Sequence, residues 1–185
     1  MPFPLGYTAL LSAAKGDGNA IAATTTKTSL LTGSAATGIA AVPANWFQDH
    51  TALYIRAAGR LSTPAATQGN ITFQVAYGGV DVAVTPTFVN LASLTNITWI
   101  LDWHLLIRAV GGGTSASIMH TGYLHSANVS ATNLVNLIPA TAPAVGTGFS
   151  TLAASNMDLT CQWSNATAGN TIQLHMCSIW IKNTY

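Results

Sequence analysis

The stretch Trp99-Ile-Leu-Asp-Trp-His-Leu-Leu-Ile-Arg108 decides the fold of this chain. Apolar residues occupy every second position of it, while Asp102, His104 and Arg108 fall on the opposite side. A period of two residues is the side-chain repeat of a β-strand with one buried face. The stretch therefore predicts a long strand, and the three glycines at 111–113 predict a turn directly after it.

The same alternation continues on both sides of this strand. A partner strand after the glycines would complete a hairpin, and we interpret the last two alternating runs, separated by 165–170, as a C-terminal hairpin. The predicted strands cover 53–61, 71–77, 99–107, 115–125, 157–163 and 172–181, with weaker ones at 29–31, 80–89 and 145–152. About eight short strands without a long helix predict an all-β chain, a single jelly-roll-like antiparallel β-sandwich.

An apolar segment precedes the first predicted strand. With 185 residues and 49% hydrophobic side chains, the chain has material for one domain with a full core. We interpret residues 1–23 as an N-terminal arm and 24–185 as the sandwich domain, because the arm shows no strand periodicity and its apolar side chains are costly to leave in water. The candidate contact residues of this arm are Pro2, Phe3, Pro4, Leu5, Tyr7, Leu10 and Leu11.

Charged side chains are scarce. The chain has no glutamate, five aspartates and six lysine or arginine residues, for a formal net charge of +1. Globular proteins average about a quarter charged residues, so a surface of threonine, serine, asparagine and glycine favours a protein that packs into an assembly. The cations are scattered along the chain, so they do not predict nucleic-acid binding. The sequence contains no run of 18 apolar residues and therefore predicts no membrane span.

The last predicted strand carries apolar side chains on both faces. One face holds Ile172, Leu174, Met176 and Trp180, and the other holds Cys177, Ile179 and Ile181. Such a strand is either central in its sheet or covered on the outside by another subunit. We therefore predict an obligate homo-oligomer, with a trimer as the expected state and Cys177, Ile179 and Ile181 as candidate subunit-interface residues.

Side chains suited to catalysis are dispersed. The aspartates form no close-spaced carboxylate pair. Asp102, His104 and Arg108 share a strand face and could form a cluster with a serine or threonine. Because the sequence lacks a nucleophile-elbow motif, we interpret them as surface hydrogen-bonding groups. We predict no catalytic residue, no cofactor and no enzyme activity.

The histidines, cysteines and tryptophans each have two interpretations. A hairpin could bring His104, His120 and His125 together as metal ligands, but their spacing favours ordinary polar or core positions, and we predict no metal site. We expect Cys161 and Cys177 to be reduced thiols rather than a disulfide. Four tryptophans could line a sugar-binding platform, but their positions on apolar stripes favour packing in the core or against another subunit. They are Trp99, Trp103, Trp163 and Trp180.

Several short motifs resemble those of one protein class. They are Thr28-Ser-Leu-Leu31, Val42-Pro-Ala-Asn-Trp-Phe47, Arg56-Ala-Ala-Gly-Arg-Leu-Ser-Thr63, Ile71-Thr-Phe-Gln-Val-Ala-Tyr-Gly-Gly79, Trp99, Ile107-Arg-Ala-Val-Gly111, Leu159-Thr-Cys-Gln-Trp-Ser-Asn165 and Gly169-Asn-Thr-Ile172. They span most of residues 24–181, and none of them is catalytic. With these motifs the chain resembles the small auxiliary structural proteins of tailed-bacteriophage heads and tails.

This resemblance implies a trimeric jelly-roll protein that performs no reaction. It implies a capsid decoration or head-fibre protein on the virion surface, assembled in the host cytoplasm, with the major capsid protein and its own copies as partners. The contact residues of the N-terminal arm are then candidate contacts with the capsid. Proteins of this type also occur in tails. A tail-associated receptor-binding protein would use exposed aromatic side chains such as Tyr54, Tyr77 or Tyr123. A hydrolase is the third alternative, and it requires a carboxylate or His–Ser cluster.

Overall fold

The regular structure of the chain is entirely β-strand in the residues that the computed structural model describes, which are 8–33, 40–127, 135–141 and 145–182. In this part of the chain no helix is long and apolar enough to cross a membrane. The strands are β1 (Thr8–Ala13), β2 (Ile21–Ala22), β3 (Thr28–Ser29), β4 (Ala40–Val42), β5 (Ala52–Ser62), β6 (Ile71–Tyr77), β7 (Val80–Val84), β8 (Ile97–Ala109), β9 (Ala116–Ser126), β10 (Val135–Ile138), β11 (Val145–Phe149), β12 (Ser155–Trp163) and β13 (Thr171–Lys182).

These strands form two antiparallel sheets that pack face to face. The large sheet has the order β1-β13-β5-β8-β9-β10, with β2 beside β13 and β11 beside β9. The small sheet has the order β3-β12-β6-β7, with β4 beside β12. The structure thus confirms the predicted all-β sandwich, and its pairings β5–β13 and β6–β12 join residues eighty or more positions apart in sequence.

The core lies between the sheets, and the period-two patterns predict which side chains enter it. In β8 the five predicted inward positions, from Trp99 to Ile107, are fully or almost fully buried. The predicted inward positions of β5 and β6 are buried as well, while Arg56 and Arg60 point to solvent. Strand phase was therefore predicted correctly wherever one face is apolar and the other polar.

Two predicted turns connect neighbouring strands. The β6–β7 turn uses Gly78 and Gly79 at φ of 60° and 85°, the left-handed pair that a tight hairpin turn needs and that glycine adopts at little cost. The β8–β9 hairpin is closed by the glycines at 111–113, of which Gly113 has a φ of 64°. Both hairpin predictions are confirmed.

The predicted C-terminal hairpin is wrong. Strands β12 and β13 do not pair with each other, because β12 lies in the small sheet and β13 in the large one. The connection between them crosses from one sheet to the other around the fully buried Asn170. The Oδ1 atom of Asn170 accepts a hydrogen bond from the Gly69 amide at 2.9 Å, and its Nδ2 donates to Asn165 at 2.8 Å.

The faces of the last strand also need correction. The pairing of β13 with β5 shifts register between Leu174 and Met176, so His175 is an extra residue. After this bulge Cys177, Ile179 and Ile181 point into the core, where all three are buried within the chain itself. The outward positions belong instead to Met176 and Trp180, so the predicted subunit-interface residues are core residues.

Part of the predicted arm belongs to the large sheet. Strand β1 forms its edge, pairing with β13 from Thr8↔Lys182 to Ala13↔Ser178. Leu11 packs against the core, whereas Leu10 points outward and is half exposed. The sandwich thus begins at Thr8 rather than at residue 24. The other candidate arm contacts, Pro2, Phe3, Pro4, Leu5 and Tyr7, lie outside the described residues.

Candidate functional site

Two of the polar side chains on the outward side of β8 contact a neighbour on β5. Asp102 lies 3.6 Å from the Nε atom of Arg56, a partly exposed ion pair. The His104 ring packs edge-on against Tyr54, with ring centroids 4.3 Å apart. Arg108 lies exposed at the end of the strand. The structure thus places all three side chains at the surface, Asp102 in an ion pair and His104 in a ring contact.

The three hairpin histidines lie apart. His104 is opposite Thr121 and His125 is opposite Ile100 on the outward side, whereas His120 points into the core. No group of three or more histidine, cysteine or aspartate side chains in the described residues could hold a metal ion. In the core, the Nε1 atom of Trp103 donates a hydrogen bond to His120 Nδ1 at 3.2 Å, which keeps that nitrogen unprotonated.

His120 makes stability sensitive to acid. Burial lowers the pKa of His120 from its ordinary 6.5, so the unfolded chain binds the proton more tightly than the folded chain. Its contribution to stability is complete above about pH 6.5 and is lost as the pH falls toward the lowered pKa. We expect the free energy of unfolding to decrease between pH 7 and 5, by at most about 1.4 kcal/mol per pH unit from this group.

The control for this prediction is His120→Gln, whose amide oxygen can still accept from Trp103 but which does not titrate. Chemical denaturation of both proteins at several pH values should give a shallower pH dependence for the variant, whatever its stability at neutral pH. Equal slopes would mean that other groups cause the acid sensitivity.

The two cysteines are free and buried. Burial raises the pKa of both thiols, that of Cys177 to about 12 with a smaller contribution from the Asp158 charge. A buried thiol with a raised pKa is a weak nucleophile at neutral pH. Cys161 and Cys177 are therefore core side chains, in agreement with the prediction that they are reduced.

A groove of about 820 Å³ lies over the outside of the small sheet. Two ionisable side chains line it, Lys27 and Asp158. Lys27 is paired with Asp81 at 2.7 Å, and Asp158 accepts a 2.7 Å hydrogen bond from Ser29. Burial raises the pKa of Asp158, against smaller opposing effects of Ser29 and Lys27. Both groups already have partners, so the groove offers little for acid–base chemistry.

The outward side of the large sheet is the more distinctive surface, and we call it the outer face. Strand register aligns its side chains in rows, one of which runs Leu10, Trp180, Tyr54, His104, Thr121 from β1 to β9. Thirteen large hydrophobic side chains are exposed in the described part of the chain, and eight belong to this face. These eight are Leu10, Leu106, Tyr123, Val135, Leu137, Val145, Met176 and Trp180.

The sequence held an unused signal for this surface. Within the period-two patterns, Leu106 and Tyr123 occupy outward positions, where polar residues are expected. Of the four tryptophans considered for a sugar platform, three are core residues, and only Trp180 reaches solvent. Tyr77, expected to be exposed in a receptor-binding protein, is buried.

Comparisons with known proteins identify no family. No protein-family model and no curated protein matches the sequence. Among solved structures, the chain is similar to the CBM2 module of the evolved Dit of Lactobacillus casei BL23 phage J-1. The match covers 98% of this chain and 99% of that one, with 12% sequence identity and a TM-score of 0.47. A similarity at this level assigns neither family nor function.

Proposed function

We propose that the chain is a non-enzymatic structural protein of a bacteriophage virion, attached as a homotrimer to the outside of the capsid. The motifs between residues 24 and 181 that resemble auxiliary head and tail proteins support the phage assignment. The scarcity of charge supports a protein that functions in an assembly.

The outer face is the observation that carries the structural role. Monomeric soluble proteins rarely expose large contiguous apolar patches, and patches of this kind mark sites of interaction. Here more than half of the exposed large hydrophobic side chains gather on one sheet face. Among the ionisable residues, Lys27 pairs with Asp81 and Arg56 pairs with Asp102, while His120 is buried with a lowered pKa. This distribution suits a protein that binds rather than one that catalyses.

The proposal is tested by adding purified chain to phage shells assembled without it. Light scattering after gel filtration should report about three chains per particle of free protein, as expected for a trimer. Electron microscopy of the mixture should then show added density on the shell. A monomer would remove the trimer from the proposal, and density on the tail with a bare shell would move the site to the tail.

A truncated variant tests the contribution of the N-terminal arm in the same experiment. Because residues 8–22 contain two strands of the large sheet, a truncation must end before Thr8 to keep the fold. We expect deletion of residues 2–7 to leave the melting temperature nearly unchanged and to weaken retention on shells. Unchanged retention would exclude these residues from the attachment.

A tail-associated receptor-binding protein is the second candidate. It is favoured by the aromatic side chains Tyr54, Tyr123 and Trp180, which share the outer face with His104 and His125. The Tyr123 and His125 rings pack edge-on at 4.7 Å. Aromatic surfaces of this kind can stack on sugar rings. Specific binding to host cell-wall glycans, with no binding to shells, would support this candidate over the first.

A further inference from the structure

We propose that the outer face binds a different virion protein, through a surface on that partner that combines apolar patches with an acidic rim. This inference rests on the proposed function and adds to it the attachment surface and the chemistry of its partner. It is carried by three properties of the face, which are its apolar content, its extent and its charge.

The exposed apolar side chains lie toward both edges of the sheet. Leu10 and Trp180 lie side by side on β1 and β13, and Tyr123 and Leu137 lie side by side on β9 and β10. Between the two edges, the row that joins Met176 to Val135 contains Ala58, Ile100 and His125. These positions leave apolar surface in water on both sides of the Arg56–Asp102 pair, and burial against a partner would remove it.

The extent of the face matches a protein interface. Six strands at a spacing of about 4.8 Å give a width of roughly 24 Å, and the rows from Ala52 to Arg60 give a length of roughly 27 Å. The resulting flat area of roughly 650 Å², before side-chain relief is added, is close to the roughly 800 Å² that one partner contributes to a standard interface. The face is larger than a single sugar or peptide side chain requires.

The face is also positively charged. Among the described residues it carries Arg56, Arg60, Arg108 and Lys182, and one side-chain carboxylate, that of Asp102. Asp102 is paired with Arg56 in the middle of the face. Arg60 lies toward one end of the strands, and Arg108 and Lys182 lie toward the other. A complementary partner therefore needs apolar side chains opposite the two edges of the sheet and carboxylates at its rim, opposite Arg60, Arg108 and Lys182.

A second copy of this chain supplies few such carboxylates. The chain has no glutamate, and each of its five aspartates has a partner within the chain. Asp17 pairs with His175, Asp49 accepts from the Val110 amide, Asp81 pairs with Lys27, Asp102 with Arg56, and Asp158 with Ser29. Two outer faces in contact would also bring like charges together, which is unfavourable. The acidic rim must therefore come from a different protein.

The first part of the test measures binding to shells or tails of the phage that were assembled without this protein. The double variant Leu137→Ser with Met176→Ser removes two side chains of the face that are 66% and 52% exposed. Its matched control, Val89→Ser with Leu152→Ser, removes two that are 59% and 49% exposed elsewhere. We expect the face variant to bind about tenfold more weakly or worse, as loss of buried apolar interface contacts does, and the control to bind like the unmodified chain.

The second part of the test measures the contribution of the positive charges of the outer face to binding. Arg60→Gln with Arg108→Gln should slow association and flatten the decrease in binding between about 0.05 M and 0.3 M salt. Lys15→Gln, at an exposed cation after β1 and off the face, should change neither. Carbodiimide joins lysine amines to carboxylates in contact with them, so it should link Lys182 to aspartate or glutamate residues of the partner protein.

The outcomes separate this inference from the proposed function. If the unmodified chain binds neither shells nor tails, the proposed function fails. If it binds and the face variant binds equally well, the outer face is not the attachment surface. If the face variant becomes monomeric while the unmodified chain is a trimer, the outer face is the contact surface between copies of this chain. If the face variant loses glycan binding and nothing else, the outer face binds a polysaccharide. Each of these results would overturn the inference.

Discussion

Truncation of Trp103 to alanine is expected to lower the free energy of unfolding by about 3–5 kcal/mol. Trp103 lies at the middle of β8, between β5 and β9, and its side chain is fully buried between the two sheets. The truncation removes the contacts of the indole and leaves a cavity that the surrounding strands cannot fill. It also removes the donor to His120 Nδ1, so a buried acceptor loses its partner.

The matched control is Arg60→Ala in the neighbouring strand. Arg60 is exposed on the outer face, so its truncation should cost under about 1 kcal/mol. Urea denaturation of the two variants and the unmodified chain gives the comparison directly. Equal midpoints for Trp103→Ala and Arg60→Ala would contradict the strand phase on which the description of the core and of the outer face depends.

Strand phase was predictable because it is a local property. In β5, β6, β8 and β9 the side chains alternate between the core and the other face, and the sequence shows the same alternation of apolar and polar residues. Turn positions are local as well, since glycine pairs such as Gly78-Gly79 adopt backbone angles that other residues avoid. These features define the all-β sandwich without any knowledge of which strands pair.

Strand pairing was harder to predict because it is not local. The short connection after Trp163 resembles a hairpin turn in sequence, but the chain uses it to pass from the small sheet to the large one. The crossing is stabilised by a hydrogen bond from the Gly69 amide to the buried side chain of Asn170, two residues that are more than one hundred positions apart in sequence. Nothing in the local pattern distinguishes such a crossing from a hairpin.

The outer face could not be predicted from the sequence for a different reason. The bulge at His175 reverses the faces of β13, so a prediction that keeps a strict period of two exchanges core and surface beyond that residue. It assigned Cys177, Ile179 and Ile181 to a subunit interface and Trp180 to the opposite face, with Ile172 and Leu174. The outer face becomes apparent only when the register of six strands places its side chains in common rows.

Substitution of Gly59 by alanine is expected to destabilise the sandwich by about 3 kcal/mol, although it adds only one methyl group. Gly59 lies on β5 between Leu174 of β13 and Trp99 of β8, next to the β13 bulge. A Cβ atom at this position would overlap the backbone oxygen of Gln173 and lie 2.9 Å from the Trp99 ring. Because backbone of a central strand cannot move aside as a side chain can, the β5–β13 pairing has to shift.

Gly112→Ala is the control that separates this overlap from the general effect of replacing glycine. A Cβ atom at Gly112 would meet only the Leu152 side chain, at 3.2 Å, and that side chain is half exposed and free to rotate. We expect this variant to change stability by less than about 1 kcal/mol, because the added methyl group mainly restricts the unfolded chain. Denaturant midpoints of the two variants decide the matter. If Gly59→Ala is as stable as Gly112→Ala, then β13 does not pass as close to β5 at this position as the described register requires.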